Sequence, residues 1–301
     1  MKAKELSSLF GMAMVSHENN MILPEIYACG QDRIYRLDTG SSTNGKANIL
    51  WTWLKSETIG DIPDDIIKSN APVNDCKPKN NNNWVLVTDG YAVILLENAT
   101  KKALFYAHTP NSHSSELLPN NRIAVALSIT EKGNAIEIYD IDKSDQVLFR
   151  DTLYGCHGVV WINERERLYV LGTNELREYS LEKWMSSSPR LKLEASWELP
   201  TNHGHDLYSV SNNKLLVTTA ASVYEFELHQ KTFSSFKPLE TVNDVKSVYY
   251  NEKTNQLIYT MAEPDQYTKE ESWWTENIYI RNPDRKITIP KFRMYKVRAI
   301  V

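Results

Sequence analysis

The 301-residue chain lacks most of the features that announce a function. No apolar run approaches the ~18 residues of a membrane-spanning helix, so no transmembrane segment is expected. No glycine-rich phosphate loop and no nucleophile-elbow pattern is present, which removes the common nucleotide-binding and α/β-hydrolase readings. His205-Asp206 stands near serines, but a catalytic triad is defined by geometry and not by proximity along a chain. Basic excess is also missing: the net charge is −4 and the pI near 6.0, so no nucleic-acid partner is expected. Only three cysteines occur, Cys29, Cys76 and Cys156. They cannot all pair within the chain, and at strand starts they read as buried free thiols, since a free Cys packs as a small hydrophobe.

What the chain does have is a repeat. Segments near 77, 113, 157, 205, 246 and 296 each open a run of short strands. The shortest step is 36 residues (113 minus 77) and the longest is 50 (296 minus 246). Periods of about 40–50 residues carrying several strands are the signature of propeller blades. The segment from His113 shows the order well: a first strand, a Pro119-Asn120-Asn121 turn, the apolar RIAVALS at 122–128, the alternating AIEIYDI at 135–141, and QVLFRD at 146–151. The runs from His157 and His205 repeat it, with β-branched and aromatic residues and Asn-rich breaks throughout. The turns at 80–83, 120–121, 163–166, 211–213 and 251–255 fall at one phase. Asn tolerates left-handed backbone, so these are hairpin turns on one face.

The chain ends complete the count. EIYACGQ, RIYRLDT and ILWTWLK supply three strands, and RMYKVRAIV supplies one more after the last full unit. Together they make a closing blade, which removes exposed sheet edges. The expected fold is all-β: a six-bladed propeller with four-stranded antiparallel blades over residues 25–301, behind an N-terminal extension at 1–24. Residues 1–16 hold two early lysines and a short apolar stretch at 9–15 broken by Gly11. That is a poor secretion signal, with no clear cleavage site around Asn19-Asn20.

If each unit is a blade, Lys77, His113, His157, His205, Lys246 and Lys296 form a ring at one channel mouth, half histidine and half lysine. His113, His157 and His205 come from consecutive blades, and three neutral imidazoles with an open position suit a divalent transition metal such as Zn, Mn, Fe or Ni. Asp206 or Glu116 would orient an imidazole. The alternative is three channel histidines bonded to water and backbone. His108 and His203 read as loop histidines. Lys246, Lys296 and Lys77, with Arg298 and Arg33 as neighbours, would repel one another unless an anion were bound. Mutual repulsion would also lower one lysine's pKa and make it a base. The alternative is pairing of each lysine with an acid such as Asp244 or Asp75. Loops between second and third strands share this mouth, which brings in Gln31 and Arg33, Tyr91, Asn174-Glu175 and a long insertion at 263–277. Trp273 and Trp274 in that insertion would stack on sugar rings, or one of them would anchor the loop.

The runs CGQDRIYRLD at 29–38, HSSELLPNNRIAVALS at 113–128, GCHGVVW at 155–161, GHDLY at 204–208, VKSVYY at 245–250 and ESWWTENIY at 271–279 resemble an uncharacterised bacterial propeller family, a domain of unknown function. The resemblance spans nearly the whole chain and implies six blades and an exported protein, periplasmic or surface-bound, with no established activity. A looser analogy, of architecture and site type only, is to the seven-bladed oligogalacturonate lyases, which hold a metal on channel histidines and bind an acidic sugar. The combined expectation is a metal-dependent lyase or hydrolase acting on an anionic saccharide. The metal would sit on the three histidines, with Lys246, Lys296 and His157 in the chemistry. Lys77, Arg33, Arg298, Gln31, Tyr91, Trp273 and Trp274 would hold the substrate. The alternatives are a non-catalytic glycan- or peptide-binding module and a plain structural scaffold.

Overall fold

A computed structural model describes residues 23–43 and 45–301. The secretion-signal reading at 1–16 and all but two residues of the 1–24 extension lie outside the described residues. Six four-stranded antiparallel sheets are arranged as the blades of a propeller. Their innermost strands are Val73–Lys79, Ser112–Leu118, Gly158–Ile162, Gly204–Ser211, Val245–Asn251 and Met294–Ala299. The last of these pairs with Glu25–Gly30, which leads to Arg33–Thr43 and Lys46–Leu54. The two ends of the chain therefore share one sheet and close the ring.

The strand pattern follows burial. Second strands pack between blades on both faces and are continuously apolar; every residue of Arg122–Leu127 is buried. Outer strands alternate, as in Arg190–Glu198, because one face meets water. Neighbouring sheets are joined by packing: Ile26, Ala28 and Leu37 of the closing blade bury against Ile258, Ile278 and Ile280 of the sheet before it. Each of the buried Ile and Leu side chains contributes about 1.5–3 kcal/mol, so closure rests on core as well as on hydrogen bonds. The Asn turns behave as their composition requires: Asn80, Asn81, Asn82, Asn120, Asn121 and Asn255 all have positive φ. Cys29, Cys76 and Cys156 are free and buried.

One element was not visible in the strand pattern. The connection after Lys46–Leu54 carries a single-turn 3-10 segment and a short helix, Asp64–Lys68. Buried Lys55 staples it, with Nζ 2.5 Å from Asp89 Oδ2, 2.9 Å from Ser69 Oγ and 3.0 Å from the Ala71 carbonyl. Among the described residues no helix is long and apolar enough to cross a membrane.

The feature that positions the site is a bulge. In five innermost strands one residue is skipped by the ladder. Asn74 stands between Val73↔Asp89 and Asp75↔Thr88, and His113 between Ser112↔Leu127 and Ser114↔Ala126. His205, Lys246 and Tyr295 are skipped in the same way. In the sixth blade His157 precedes the strand, and its N–H is bonded to the Leu171 carbonyl, which also faces Gly158. A bulged residue leaves the pleat and re-aims its side chain. Here all six are turned toward one mouth.

Candidate functional site

The ring at this mouth is Asn74, His113, His157, His205, Lys246 and Tyr295, which together line a cavity of about 470 Å³. Four of the six expected ring members are there. Lys77 and Lys296 are not, and the bulges explain both displacements. Lys77 lies three residues past the bulge at Asn74, and it lines a separate cavity of about 570 Å³ at the opposite mouth. Lys296 lies one residue past Tyr295, beneath the ring.

The histidines touch in sequence: ring centroids are 4.3 Å apart for His113 and His157 and 5.8 Å for His157 and His205. Nδ1–H of His157 donates to the Gly155 carbonyl at 2.7 Å, which makes Nε2 its acceptor nitrogen. His113 Nε2 is 3.1 Å from Asn111 Oδ1 and therefore carries the proton. Its Nδ1 faces the Tyr295 hydroxyl at 3.5 Å. His205 Nε2 lies 2.9 Å from Lys246 Nζ, and its Nδ1 is buried without a partner. Burial pushes all three imidazoles down, and the positive charges of Lys246 and Lys296 push them further, His157 to about 4. All three are neutral at pH 7.

Lys246 is 2% exposed and lines the cavity. Its carboxylate partner is Asp244, at 3.2 Å, whose side chain is 47% exposed and shares its charge with water. Burial lowers the Lys246 pKa, while Asp244 raises it. Lys246 and Lys296 together create the positive field that the imidazoles register. Among the described residues no group of three His, Cys, Asp or Glu side chains is placed to hold a metal ion. The ammonium against His205 Nε2 supplies a physical reason, because it occupies that imidazole's edge with positive charge.

Below the ring the channel is closed by an ionic crossbar that was missed in the sequence. Arg298 bonds Asp75 through Nε and Nη2 at 2.7 and 2.9 Å, and Asp206 through Nη1 and Nη2 at 2.8 and 2.6 Å. Lys296 reaches Asp206 at 3.0 Å and the His205 carbonyl at 3.3 Å. Ser114 donates to Asp75 at 2.8 Å, and the Val248 N–H donates to Asp206 at 3.3 Å. Further along the axis Lys77 bonds the Val159 carbonyl at 2.6 Å and Glu116 at 3.2 Å, and Lys79 also pairs with Glu116. Every blade contributes a group. The cations hold Asp75, Asp206 and Glu116 below the usual carboxylate range despite burial. Arg298, expected at the mouth, is thus a member of the crossbar.

The remaining expected rim residues divide. Trp273 is 71% exposed at the cavity's edge, while Trp274 packs under the Arg293 guanidinium at 4.9 Å. An exposed tryptophan and a packed one are therefore adjacent. The insertion that carries them is fixed through Glu263, which accepts from Thr275, from Asn277 at 2.9 Å and from Tyr279 at 2.5 Å. Tyr91 stands outside the cavity, bonded to Asp65 and edge-on to His108. Gln31 and Arg33 do not line the cavity; Arg33 pairs with Asp32 at 2.8 Å. Asn74 and Tyr295 were missed as ring members. The recurring ends VLVTDG, LLVTTA and LIYTMA of the second strands would have located Asn74, because Thr88, Thr218 and Thr260 each face the residue just after a bulge; in the closing blade that place is taken by Cys29, so Tyr295 carried no such signal.

Residues 39–301 match the family described as a family of unknown function (DUF6528), and the chain belongs to it. No curated protein matches. Among solved structures, the chain is similar to a protein of unknown function from Bacteroides caccae, with 13% identity, a TM-score of 0.60, and coverage of 91% of this chain and 98% of that one. It is also similar to a chain of a nidogen/laminin complex, with 14% identity, a TM-score of 0.61, and coverage of 91% and 97%. A chain of a mitotic checkpoint complex follows at 11% identity and a TM-score of 0.54, covering 97% and 90%. At these identities the likeness is one of fold.

Proposed function

We propose that the histidine-lined mouth binds an anionic saccharide, with the ligand's carboxylate directed at Lys246. The observation that carries this reading is a 2%-exposed ammonium lining a cavity beside three imidazoles that are kept neutral by burial first and by the charges of Lys246 and Lys296 in addition. The part of that shift due to the two ammonium charges favours a carboxylate in the same place, whereas burial favours neither ion. The cavity volume, about 470 Å³, falls in the range that encloses a small ligand. Neutral His, Asn, Ser, Thr and Tyr groups around it match the mixed donors and acceptors of sugar hydroxyls, and Trp273 offers a flat apolar face at the entrance.

The test is calorimetric titration with oligogalacturonate beside a neutral oligosaccharide of equal length. The acidic ligand should bind and the neutral one should not. Lys246→Met should cost about 1.5–3 kcal/mol, the worth of a charge-assisted hydrogen bond, or roughly ten- to a hundredfold in Kd. Equal binding of both ligands would sink the reading.

A second reading is turnover of the same ligand, favoured by the 2.9 Å contact between Lys246 and His205 and by the lowered pKa of that lysine. Once Lys246 has given up its own proton to solvent, its neutral amine would take the proton on the carbon bearing the bound carboxylate, and the glycosidic oxygen on the next carbon would leave, protonated by water, as the double bond forms. New ultraviolet absorbance from a conjugated product, absent in Lys246→Met, distinguishes turnover from binding.

A further inference from the structure

We infer that this mouth accepts the end of an acidic saccharide chain and excludes its interior residues. The inference rests on the acidic-saccharide reading above and adds the mode of binding to it.

An interior residue needs a groove, because both of its neighbours must leave the site. The cavity is a pit. Its wall is continuous: Asn74, His113, His157, His205, Lys246 and Tyr295 come from all six blades. No blade is missing from the wall to leave a lateral channel. The floor is closed as well. Arg298, Lys296, Asp75 and Asp206 cross the axis directly beneath the ring, with Lys296 and Asp206 fully buried. The cavity at the opposite mouth shares no lining residue with this one, so a chain cannot thread the propeller.

A side cleft of about 420 Å³ adjoins the pit and shares Lys246 and Trp273 with it. Its other walls include Asp244, Glu263 and Glu271. A neutral chain has no electrostatic reason to avoid that cleft. A polyuronate does, since each residue would bring a carboxylate against three others of the same sign. Lys246 is common to both spaces, but the pit's lining carries no carboxylate while the cleft sets three against that one ammonium, so an anionic chain is disfavoured there and leaves by the way it entered. Trp273, standing between pit and cleft, would pack on the residue nearest the entrance.

The experiment counts binding sites on chains of different length. The full chain is titrated with trigalacturonate, with long polygalacturonate, and with the same polymer after partial hydrolysis, chain ends being assayed chemically in each. One protein per chain, a Kd per chain end that matches the trimer, and capacity that rises in proportion to the ends created by hydrolysis are the expected results. Lys246→Met should remove this capacity from all three ligands, assigning it to the pit. Capacity that follows the number of uronate residues, with many proteins per polymer and no gain on hydrolysis, overturns end-binding while leaving the acidic-saccharide reading in place. Failure of all three ligands to bind overturns both.

Discussion

Arg298→Met tests the crossbar directly. The guanidinium makes four hydrogen bonds to two carboxylates whose side chains are 1% and 0% exposed. Methionine keeps much of the volume and removes the charge. Asp206 would retain Lys296 and the Val248 N–H, but Asp75 would keep only the Ser114 hydroxyl and the Cys76 N–H. Breaking a buried pair by removing one partner costs about 3–5 kcal/mol, because an uncompensated charge stays behind. Against a total stability of about 5–15 kcal/mol that is a large fraction. The pH dependence has a definite sign. In the wild type Asp75 and Asp206 have lowered pKa values, so their contribution is complete above the unfolded carboxylate value of about 3.9 and is lost as pH falls below it. In the variant Asp75 loses the nearest of its cations while remaining buried, with Lys296 and Lys77 still acting on it, so its pKa should rise and its carboxylate should take up a proton in the folded state at higher pH than in the wild type. The gap between variant and wild type should therefore narrow as pH falls from 7 toward 4. Urea unfolding followed by tryptophan fluorescence measures this, and Arg298→Met with Asp75→Leu should recover part of the loss. A loss under about 1 kcal/mol at pH 7, or a gap independent of pH, would refute the assignment of the crossbar as a stabilising unit.

Three other outcomes are expected. His157 is neutral when folded and titrates at about 4 rather than 6.5, so stability should be complete above about pH 6.5 and fall as pH drops toward 4; His157→Gln should flatten the melting-temperature profile in that window. Gly30→Ala should destabilise by about 1–3 kcal/mol, since a Cβ there would lie 2.0 Å from the Arg293 carbonyl oxygen in the sheet that closes the ring; an unchanged urea midpoint would contradict this. If the proposed saccharide binding is directed by Lys246, it should survive EDTA; binding lost to chelator and restored by Zn²⁺ would return the histidines to a metal-ligand role.

The blades were legible because their cause is local. Strand alternation, Asn turns with positive φ and a period set by four strands are all written in neighbouring residues, and RIAVALS is a buried strand on composition alone. The unpaired three strands at one end and the single strand at the other likewise made closure legible. The ring was legible only where a histidine or lysine happened to occupy the bulge. In the blade with Asn74 the nearest basic residue is Lys77, and in the closing blade Tyr295 precedes Lys296, so residue type pointed past the true phase in both. The crossbar was illegible for a different reason. Arg298 and Asp75 are 223 positions apart and meet only because the ring closes. Asp75 had been weighed as a partner for a lysine, and the pairing across the axis went instead to the arginine.

Lys246 and Lys296 show how the fold assigns opposite roles to the same side chain. Both are buried, and both point toward the axis from adjacent blades. Lys296 is in the regular ladder, paired with Cys29 across the sheet, and its ammonium faces a fully buried carboxylate and two backbone carbonyls. Its charge is satisfied within the protein. Lys246 is the residue its ladder skips, and the bulge turns it out of the packed layer into the cavity, where a half-exposed Asp244 and a neutral imidazole are its partners. The bulge also accounts for the variety of the ring. A residue inside the ladder must fit its cross-strand neighbours, whereas one lifted out of it meets mainly the open mouth. Asn, His, Lys and Tyr therefore occupy equivalent places in six sheets with otherwise similar pairing. Chemistry at this mouth can change one side chain at a time while the layer beneath, tied to every blade, holds the propeller shut.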